Sequence, residues 1–220
     1  MAGVLCATPT AAQKGLETYY AMQQMGEELG VSCAYCHVVG PDKRPDYKAE
    51  GNPKKAIARK MVEMTAEINT RVWLATGGAP GDRAVTCVSC HRGVPVPLPI
   101  ATVVKRAVER DGAEGAVAAY RALRTQFYER DVYDFSEAEL VRLARLYADR
   151  EPDVAIALTR MNLEWRPKSA VSYVVMAYAY TRKFDDRSAI PLLEKALELE
   201  PENGAAQGYL HQLRQFQKGQ

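Results

Sequence analysis

Cys33-Ala34-Tyr35-Cys36-His37 and Cys87-Val88-Ser89-Cys90-His91 share one pattern, in which two cysteines are separated by two residues and followed at once by histidine. These two segments hold four of the five cysteines and two of the three histidines in the chain. The C-x-x-C-H pattern is typical of covalent attachment of c-type haem. The two thiols bind one edge of a porphyrin, and the adjacent imidazole is then held where it ligates the iron. The sequence therefore predicts two haem c groups, attached and ligated by Cys33, Cys36 and His37 and by Cys87, Cys90 and His91.

Two other chemistries use paired cysteines. A four-cysteine zinc site usually separates its pairs by about 15–20 residues, whereas about 50 residues lie between these pairs. A redox-active dithiol is expected within a βαβ unit, and the chain shows no such pattern. Haem attachment is therefore the preferred interpretation, with zinc and dithiol as alternatives.

The composition is that of an ordinary globular protein of 220 residues, with 47% hydrophobic residues and a net charge of +2. This charge is too small to indicate binding to nucleic acid. With four Phe and two Trp the chain is poor in aromatic core residues, and haem would supply apolar mass in their place.

The first residues have the character of a secretory signal peptide. An apolar segment, Met1 to Ala7, precedes small residues that end at Ala12. We interpret residues 1–13 as a signal-peptide remnant and expect a periplasmic or otherwise extracytoplasmic protein. Lipid attachment at Cys6 is the alternative, which the large Leu5 before it disfavours.

A predicted helix precedes each motif. Apolar residues recur at three- and four-residue steps over residues 14–30 and again over residues 54–74. The segment between them, residues 38–53, is polar and rich in Pro and Gly, and we expect it to lack regular structure. The layout of helix, turn and motif therefore occurs twice within residues 14–93, the predicted dihaem domain.

A Pro-rich linker, residues 94–101, follows the second motif, because alternating prolines favour an extended chain. Residues 102–220 are then predicted to be helical, with breaks near Gly112, Pro152, Pro167 and Pro201. Residues 155–158 align with residues 189–192 at a period of 34, the period of tetratricopeptide repeats. This part of the chain resembles that family, most clearly over residues 135–216.

Methionines are the predicted sixth iron ligands. The third histidine, His211, lies near the C-terminus, so two haems cannot both have two histidine ligands. Methionine is the alternative soft donor, and His/Met ligation raises the reduction potential. Met22 and Met25 lie on the helix before the first motif, and Met61 and Met64 lie on the helix before the second.

Residues 16–93 resemble the cytochrome subunit of photosynthetic reaction centres. The matching stretches are Met22 to Met25, Leu29 to Cys33, Ala58 to Thr65, Ile68-Asn69, and Val85 to Gly93. The resemblance implies that each haem packs along the helix before its motif. It also implies that Met22 ligates the first iron and Met61 the second, with Met25 and Met64 as alternatives. That subunit carries four haems in two such halves, and this chain has one half.

These observations predict a mostly α-helical protein. Its dihaem cytochrome c domain has little regular structure beyond the haem-packing helices, and a domain of helical hairpin repeats follows. We expect an electron carrier rather than an enzyme. Its expected partners are redox proteins, a protein docked on the repeats and, through the resemblance, a membrane electron-transfer complex. A dihaem peroxidase-like enzyme and a haem-based sensor or adaptor are the alternative functions.

A basic stretch lies close to the first motif. Its members are Lys43, Arg44, Lys48, Lys54, Lys55, Arg59 and Lys60. These residues are interpreted as a solvated loop and helix face, and steering of an acidic redox partner is the alternative.

Overall fold

The computed structural model of the chain describes residues 11–78 and 85–218. The described residues form two compact units, which are joined between Pro97 and Leu98. The first unit contains both C-x-x-C-H motifs, and the second is a series of consecutive helices. Cys6, the residue of the disfavoured lipidation alternative, and most of the signal-peptide remnant lie outside the described residues.

The first unit consists of helices joined by short irregular segments. A 3₁₀ turn at Cys33–Tyr35 begins the first motif. The other elements are α1 (Ala11–Leu29), β1 (Val38–Val39), β2 (Pro45–Asp46), α2 (Pro53–Thr76) and α3 (Cys87–His91). Helices α1 and α2 confirm the two helices predicted before the motifs.

Both ends of α2 follow from local sequence. The side chain of Asn52 accepts a hydrogen bond from the backbone N–H of Lys54 at 3.0 Å, and Pro53 occupies the first turn, where no N–H is needed. At the other end Gly77 adopts φ +70°, and its N–H donates to the carbonyl of Trp73 at 2.9 Å.

The prediction that residues 38–53 lack regular structure was wrong in one respect. Strands β1 and β2 form an antiparallel pair in which Val38 faces Asp46 and Val39 faces Pro45. The N–H of Gly40 donates to the carbonyl of Arg44 at 2.9 Å and closes the turn between the strands. Such a ribbon is too short to show the alternating pattern by which strands are recognised in a sequence.

The second unit contains six helices within residues 98–218. They are α4 (Ile100–Phe127), α5 (Glu137–Tyr147), α6 (Pro152–Trp165), α7 (Ala170–Arg182), α8 (Asp186–Leu199) and α9 (Gly204–Lys218). Gly112 has φ +61° and ψ −142° and kinks α4 at the predicted break. Within the described ranges, no helix combines the length and apolar character needed to cross a bilayer.

Polar side chains cap three of these helices. Ser136, Ser169 and Asp185 accept hydrogen bonds from backbone N–H groups three residues later, at 3.2, 3.2 and 3.1 Å. Each cap satisfies one of the donors that the first turn of a helix leaves unpaired. The ends of α5, α7 and α8 are therefore set by the local sequence.

The core of the second unit is built from small and branched side chains. Ala177, Ala189 and Ala196 have no exposed surface, so their helices approach closely, and Leu193 is equally buried beside them. The helices α6 and α8 begin 34 residues apart, and so do α7 and α9. The helix boundaries of this unit therefore recur at the same interval as the sequence pattern.

Candidate haem-binding site

The first motif begins directly after the C-terminal cap of α1. Gly30 adopts φ +65°, and the N–H of Val31 donates to the carbonyl of Gly26 at 2.9 Å, which ends the helix. The 3₁₀ turn follows, with the N–H groups of Cys36 and His37 donating to the carbonyl of Cys33 at 3.2 and 3.0 Å. The motif is therefore a closed turn fixed to the end of a helix.

The second motif is itself a short helix. The N–H of Thr86 donates to the hydroxyl of Ser89 at 3.1 Å, and the N–H of Ser89 donates to the carbonyl of Thr86 at 3.2 Å. These reciprocal bonds start α3 immediately before Cys87. Arg92, with φ +48°, ends α3 immediately after His91.

The imidazole of His91 is oriented as a metal ligand. Its Nδ1 lies 2.9 Å from the carbonyl oxygen of Val94. A carbonyl oxygen only accepts, so Nδ1 is the donor, and in the neutral ring the lone pair is then on Nε2. A backbone carbonyl that fixes the imidazole of a metal ligand in this way is the usual arrangement around ligating histidines.

The imidazole of His37 is buried, with 8% of its surface exposed. Its ring packs edge-on against the ring of Tyr47, with 5.0 Å between centroids. Its Nδ1 atom is buried and has no hydrogen-bond partner. A buried polar atom without a partner costs free energy, so His37 differs from His91, whose Nδ1 has a backbone partner.

Glu28 on α1 holds the second motif at both ends. Its carboxylate accepts a hydrogen bond from the N–H of Val88 at 3.2 Å, and its backbone carbonyl accepts one from the N–H of Gly93 at 3.0 Å. Burial raises the pKa of the Cys87 thiol, and the charge and hydrogen bond of Glu28 add to this rise. The helix that precedes the first motif therefore positions the second.

The end of α1 also contacts the end of the second motif directly. A Cβ atom built on Gly30 would lie 2.3 Å from the carbonyl oxygen of Gly93. Only glycine permits this backbone approach at a left-handed position. The two C-x-x-C-H segments therefore meet the same stretch of α1.

Asparagine side chains bind α2 and its N-cap to the first motif and to the segment that precedes the second. Asn52 donates through its Nδ2 to the carbonyl of Tyr35 in the first motif at 3.0 Å. The buried Asn69 donates to the carbonyl of Val85 at 2.7 Å and accepts from the N–H of Val85 at 2.9 Å. Asn69 belongs to the stretch Ile68-Asn69, which resembles the reaction-centre cytochrome subunit, but the sequence alone assigned this residue no role.

The first unit lacks an apolar core of its own side chains. Among the described residues before Leu98, Val94 is the single buried hydrophobic residue, whereas the second unit buries thirty. Large apolar side chains of the first unit are instead exposed, namely Tyr19, Tyr20, Val38, Val39, Tyr47, Ile57, Met61, Val62, Met64, Leu74, Val88 and Val96. The apolar faces of porphyrins would bury such side chains and supply the interior that the unit lacks.

All four predicted methionine donors lie on the helices that flank the motifs. Met22 and Met25 are half-buried, one turn apart on α1. Met61 and Met64 are 42% and 44% exposed, one turn apart on α2. His211 lies on α9 in the second unit, where it is exposed.

Metal binding by the cysteines alone does not fit this geometry. In the parts of the chain that the structure describes, no three His, Cys, Asp or Glu side chains form a cluster able to hold a metal ion. The four cysteines therefore do not converge on one zinc site, and no disulfide joins them to each other.

Part of the basic stretch stabilises the fold. Glu50 accepts hydrogen bonds from Lys55 at 2.9 Å and from Arg59 at 2.7 and 2.8 Å. These bonds to Arg59 and Lys55 lower the pKa of Glu50 from 4.5 to about 2. Lys54 lies over the ring of Tyr35 in the first motif, 3.7 Å from its centroid.

Comparison with known proteins gives the class of protein that this site resembles. The model of the family described as "Photosynthetic reaction centre cytochrome C subunit" matches residues 38–129. This range begins directly after His37, contains α2 and the second motif, and extends into α4. The match supports haem c bound covalently to a c-type cytochrome.

Individual relatives are similar over a short region. The photosynthetic reaction center cytochrome c subunit of Rubrivivax gelatinosus is 40% identical over 68 residues, which are 31% of this chain and 16% of that protein. The subunit of Roseobacter denitrificans is 37% identical over 68 residues, which are 31% of this chain and 18% of that protein. The chain therefore spans less than a fifth of the length of these curated relatives.

Proposed function

We propose that the protein is an extracytoplasmic dihaem cytochrome c that transfers electrons between redox partners. The observation that carries this proposal is the first unit itself, which presents two C-x-x-C-H segments on one helix end and exposes its apolar side chains. Covalently bound haem supplies a reversible one-electron centre at each motif. The proposed domains are a dihaem domain of residues 14–93, a linker of residues 94–101 and a repeat domain of residues 102–220.

The residues of the chain have distinct roles in this function. Cys33, Cys36, Cys87 and Cys90 attach the two porphyrins, and His37 and His91 ligate the irons. The carbonyl of Val94 keeps the proton of His91 on Nδ1, so that Nε2 is available to iron. Met22 and Met61 are the proposed sixth ligands, with Met25 and Met64 one turn further along the same helices.

Methionine ligation distinguishes this proposal from the enzyme alternative. A peroxidase-like protein needs an iron with an open position and polar groups beside it. Two closed irons carry electrons without binding substrate. A near-infrared band from methionine–iron ligation at both haems supports electron transfer, and a high-spin fraction in the resting protein contradicts it.

The second unit is proposed to dock a protein partner. Helical repeats that stack on their neighbours create extended surfaces suited to this role. The two relatives are named as subunits of photosynthetic reaction centres, which supports association with a membrane electron-transfer complex.

Counting the haems tests the proposal. The protein is secreted in a host that matures c-type cytochromes, and its intact mass and pyridine haemochrome spectrum are measured. Two haems per chain are expected, falling to one in Cys87→Ala/Cys90→Ala and in Cys33→Ala/Cys36→Ala. A chain that carries no covalent haem would sink the proposal. The mass of the secreted chain also tests cleavage near Ala12.

A further inference from the structure

The second unit contains a groove whose lining is rich in arginine. It lies at the C-terminal end of α4, where α6 also contributes, and encloses a cavity of about 640 Å³. Its lining includes Arg121, Arg124, Tyr128, Glu129, Arg130 and Trp165. Sequence analysis did not indicate this site, because Trp165, which completes the lining, is 35 or more positions away from the rest of it.

The guanidinium of Arg124 is held between two aromatic rings. Its central carbon lies 3.7 Å from the centroid of Tyr128 and 4.4 Å from that of Trp165. Its Nη1 atom is buried without a hydrogen-bond partner, and no ion pair is formed by Arg124 among the described residues. Stacking on rings satisfies the faces of a guanidinium, and the part of Arg124 that lines the groove offers its remaining N–H groups to an oxyanion.

The rings that hold Arg124 are themselves fixed. Trp165 stacks on the fully buried Tyr120 with 6.1 Å between centroids, and Tyr120 packs edge-on against Phe135 at 5.6 Å. A cation on a rigid support loses little side-chain entropy when it binds, so less of the binding free energy is spent on ordering.

The groove carries an excess of positive charge. Arg121 pairs with the carboxylate of Glu164, whereas Arg124 and Arg130 have no carboxylate partner among the described residues. Glu129 is the opposing carboxylate on the lining. The C-terminal end of α4 favours the arginine cations themselves, because the last carbonyls of a helix carry partial negative charge.

We propose that this groove binds an acidic peptide segment of a protein partner through Arg124, Arg121 and Arg130. Arg121 and Arg124 are one turn apart, with Cβ atoms about 5–6 Å apart. In an extended peptide every second side chain lies on the same face, about 6.6–6.8 Å from the next one on that face. Two glutamates at such positions can therefore reach Arg121 and Arg124. The inference rests on the docking role proposed for the second unit and gives the chemistry of the partner.

Calorimetric titration of the full-length, haem-loaded protein with an octaglutamate peptide tests the proposal. We expect saturable binding that weakens as salt is added, and no binding of an octaglutamine peptide. Arg124→Gln is expected to weaken binding at least about tenfold, since hydrogen bonds between charged groups are lost. Arg145→Gln, which removes an exposed arginine of α5, is expected to leave the affinity within about twofold.

Several outcomes overturn the proposal. The proposal fails if octaglutamate does not bind, or if Arg124→Gln and Arg145→Gln lose affinity for it equally. It also fails if inorganic phosphate at matched charge displaces the peptide. Circular dichroism checks that each variant folds. If Arg124→Gln does not fold, the exposed Arg130→Gln gives the same test. The haem content of each sample is measured separately, so a failure of haem attachment is distinguished from a failure of peptide binding.

Discussion

The carboxylate of Glu28 on α1 accepts a hydrogen bond from the backbone N–H of Val88 at 3.2 Å, although the two residues are 60 positions apart. Gln24, one turn earlier, donates to the same carboxylate at 2.7 Å and orients it. The negative charge therefore lies beside Cys87, where one edge of the second haem is proposed to attach. Helix α1 is therefore shared by the two proposed haem sites.

Glu28→Gln is expected to raise the potential of one haem. A carboxylate near a haem stabilises the more positive ferric state, and its removal is worth on the order of 1 kcal/mol, or about 40 mV for one electron. The amide oxygen still accepts from Val88, so the motif keeps its position. Potentiometric titration of both haems measures the effect. Glu27→Gln, at the exposed neighbouring residue, is the control, and an equal shift of both haems would contradict the assignment.

Asn69→Ala is expected to lower the free energy of unfolding of the holoprotein by about 1–3 kcal/mol. The substitution leaves both the N–H and the carbonyl of Val85 without their partner on α2. Thr70→Ala is the matched control, because the Thr70 hydroxyl is exposed and bonds only to Ala66 within its own helix. Denaturant unfolding followed by circular dichroism measures both variants. If both variants lose the same free energy of unfolding, the hydrogen bonds between Asn69 and Val85 do not stabilise the fold more than the bond within the helix does.

Gly30→Ala and Gly77→Ala form a second matched pair. Both glycines end helices with positive φ, +65° and +70°, so both substitutions incur the left-handed penalty of about 1–2 kcal/mol. A Cβ atom at Gly30 also meets the carbonyl of Gly93 at 2.3 Å, whereas one at Gly77 meets nothing within 4 Å. Gly30→Ala is therefore expected to lower the midpoint of denaturant unfolding much more than Gly77→Ala does. Indistinguishable midpoints would mean that α1 does not contact the second motif in solution.

Met61→Ala is expected to leave its haem attached but to open the iron and lower its potential. Met64→Ala, one turn away on the same helix, is the control and is expected to keep the methionine–iron band. Near-infrared absorption of the oxidised protein distinguishes the two variants. The haem that Met22 is proposed to ligate keeps its band, so Met61→Ala should remove about half of the intensity. The same loss in Met64→Ala alone transfers the ligand role to Met64.

Stability at acid pH is expected to depend on Glu50. Its pKa is lowered from 4.5 to about 2 by Arg59 and Lys55. A lowered carboxyl pKa stabilises the folded state above the unfolded value, and this contribution is lost as the pH falls from 4.5 towards 2. The stability difference between the parent protein and Glu50→Gln should therefore shrink over that range. Urea titrations at several pH values measure this stability difference. A difference that stays constant between pH 4.5 and 2 would show that protonation of Glu50 is not coupled to unfolding.

The predictable parts of the fold are those that depend on neighbouring residues. The helices α1 and α2, the cap at Asn52, the kink at Gly112 and the spacing of the later helices are all encoded over a few turns of chain. The ribbon of β1 and β2 was missed because it has two residues in each strand. Lys55 and Arg59 were interpreted as solvated charges. Arg59 remains 57% exposed in its pair with Glu50, whereas the side chain of Lys55 is 12% exposed.

The sequence by itself determined the mostly helical fold, the positions of the C-x-x-C-H segments and the methionine-bearing helices before them. These features follow from residue types at fixed short spacings, to which local backbone preferences respond directly. Only the tertiary structure decided that Glu28 and Gly30 contact the second motif, that Asn69 pairs with Val85, and that Arg124 stacks on Trp165. These pairs are separated by 16 to 63 positions, and their contact depends on how the helices pack, which no short window of sequence specifies.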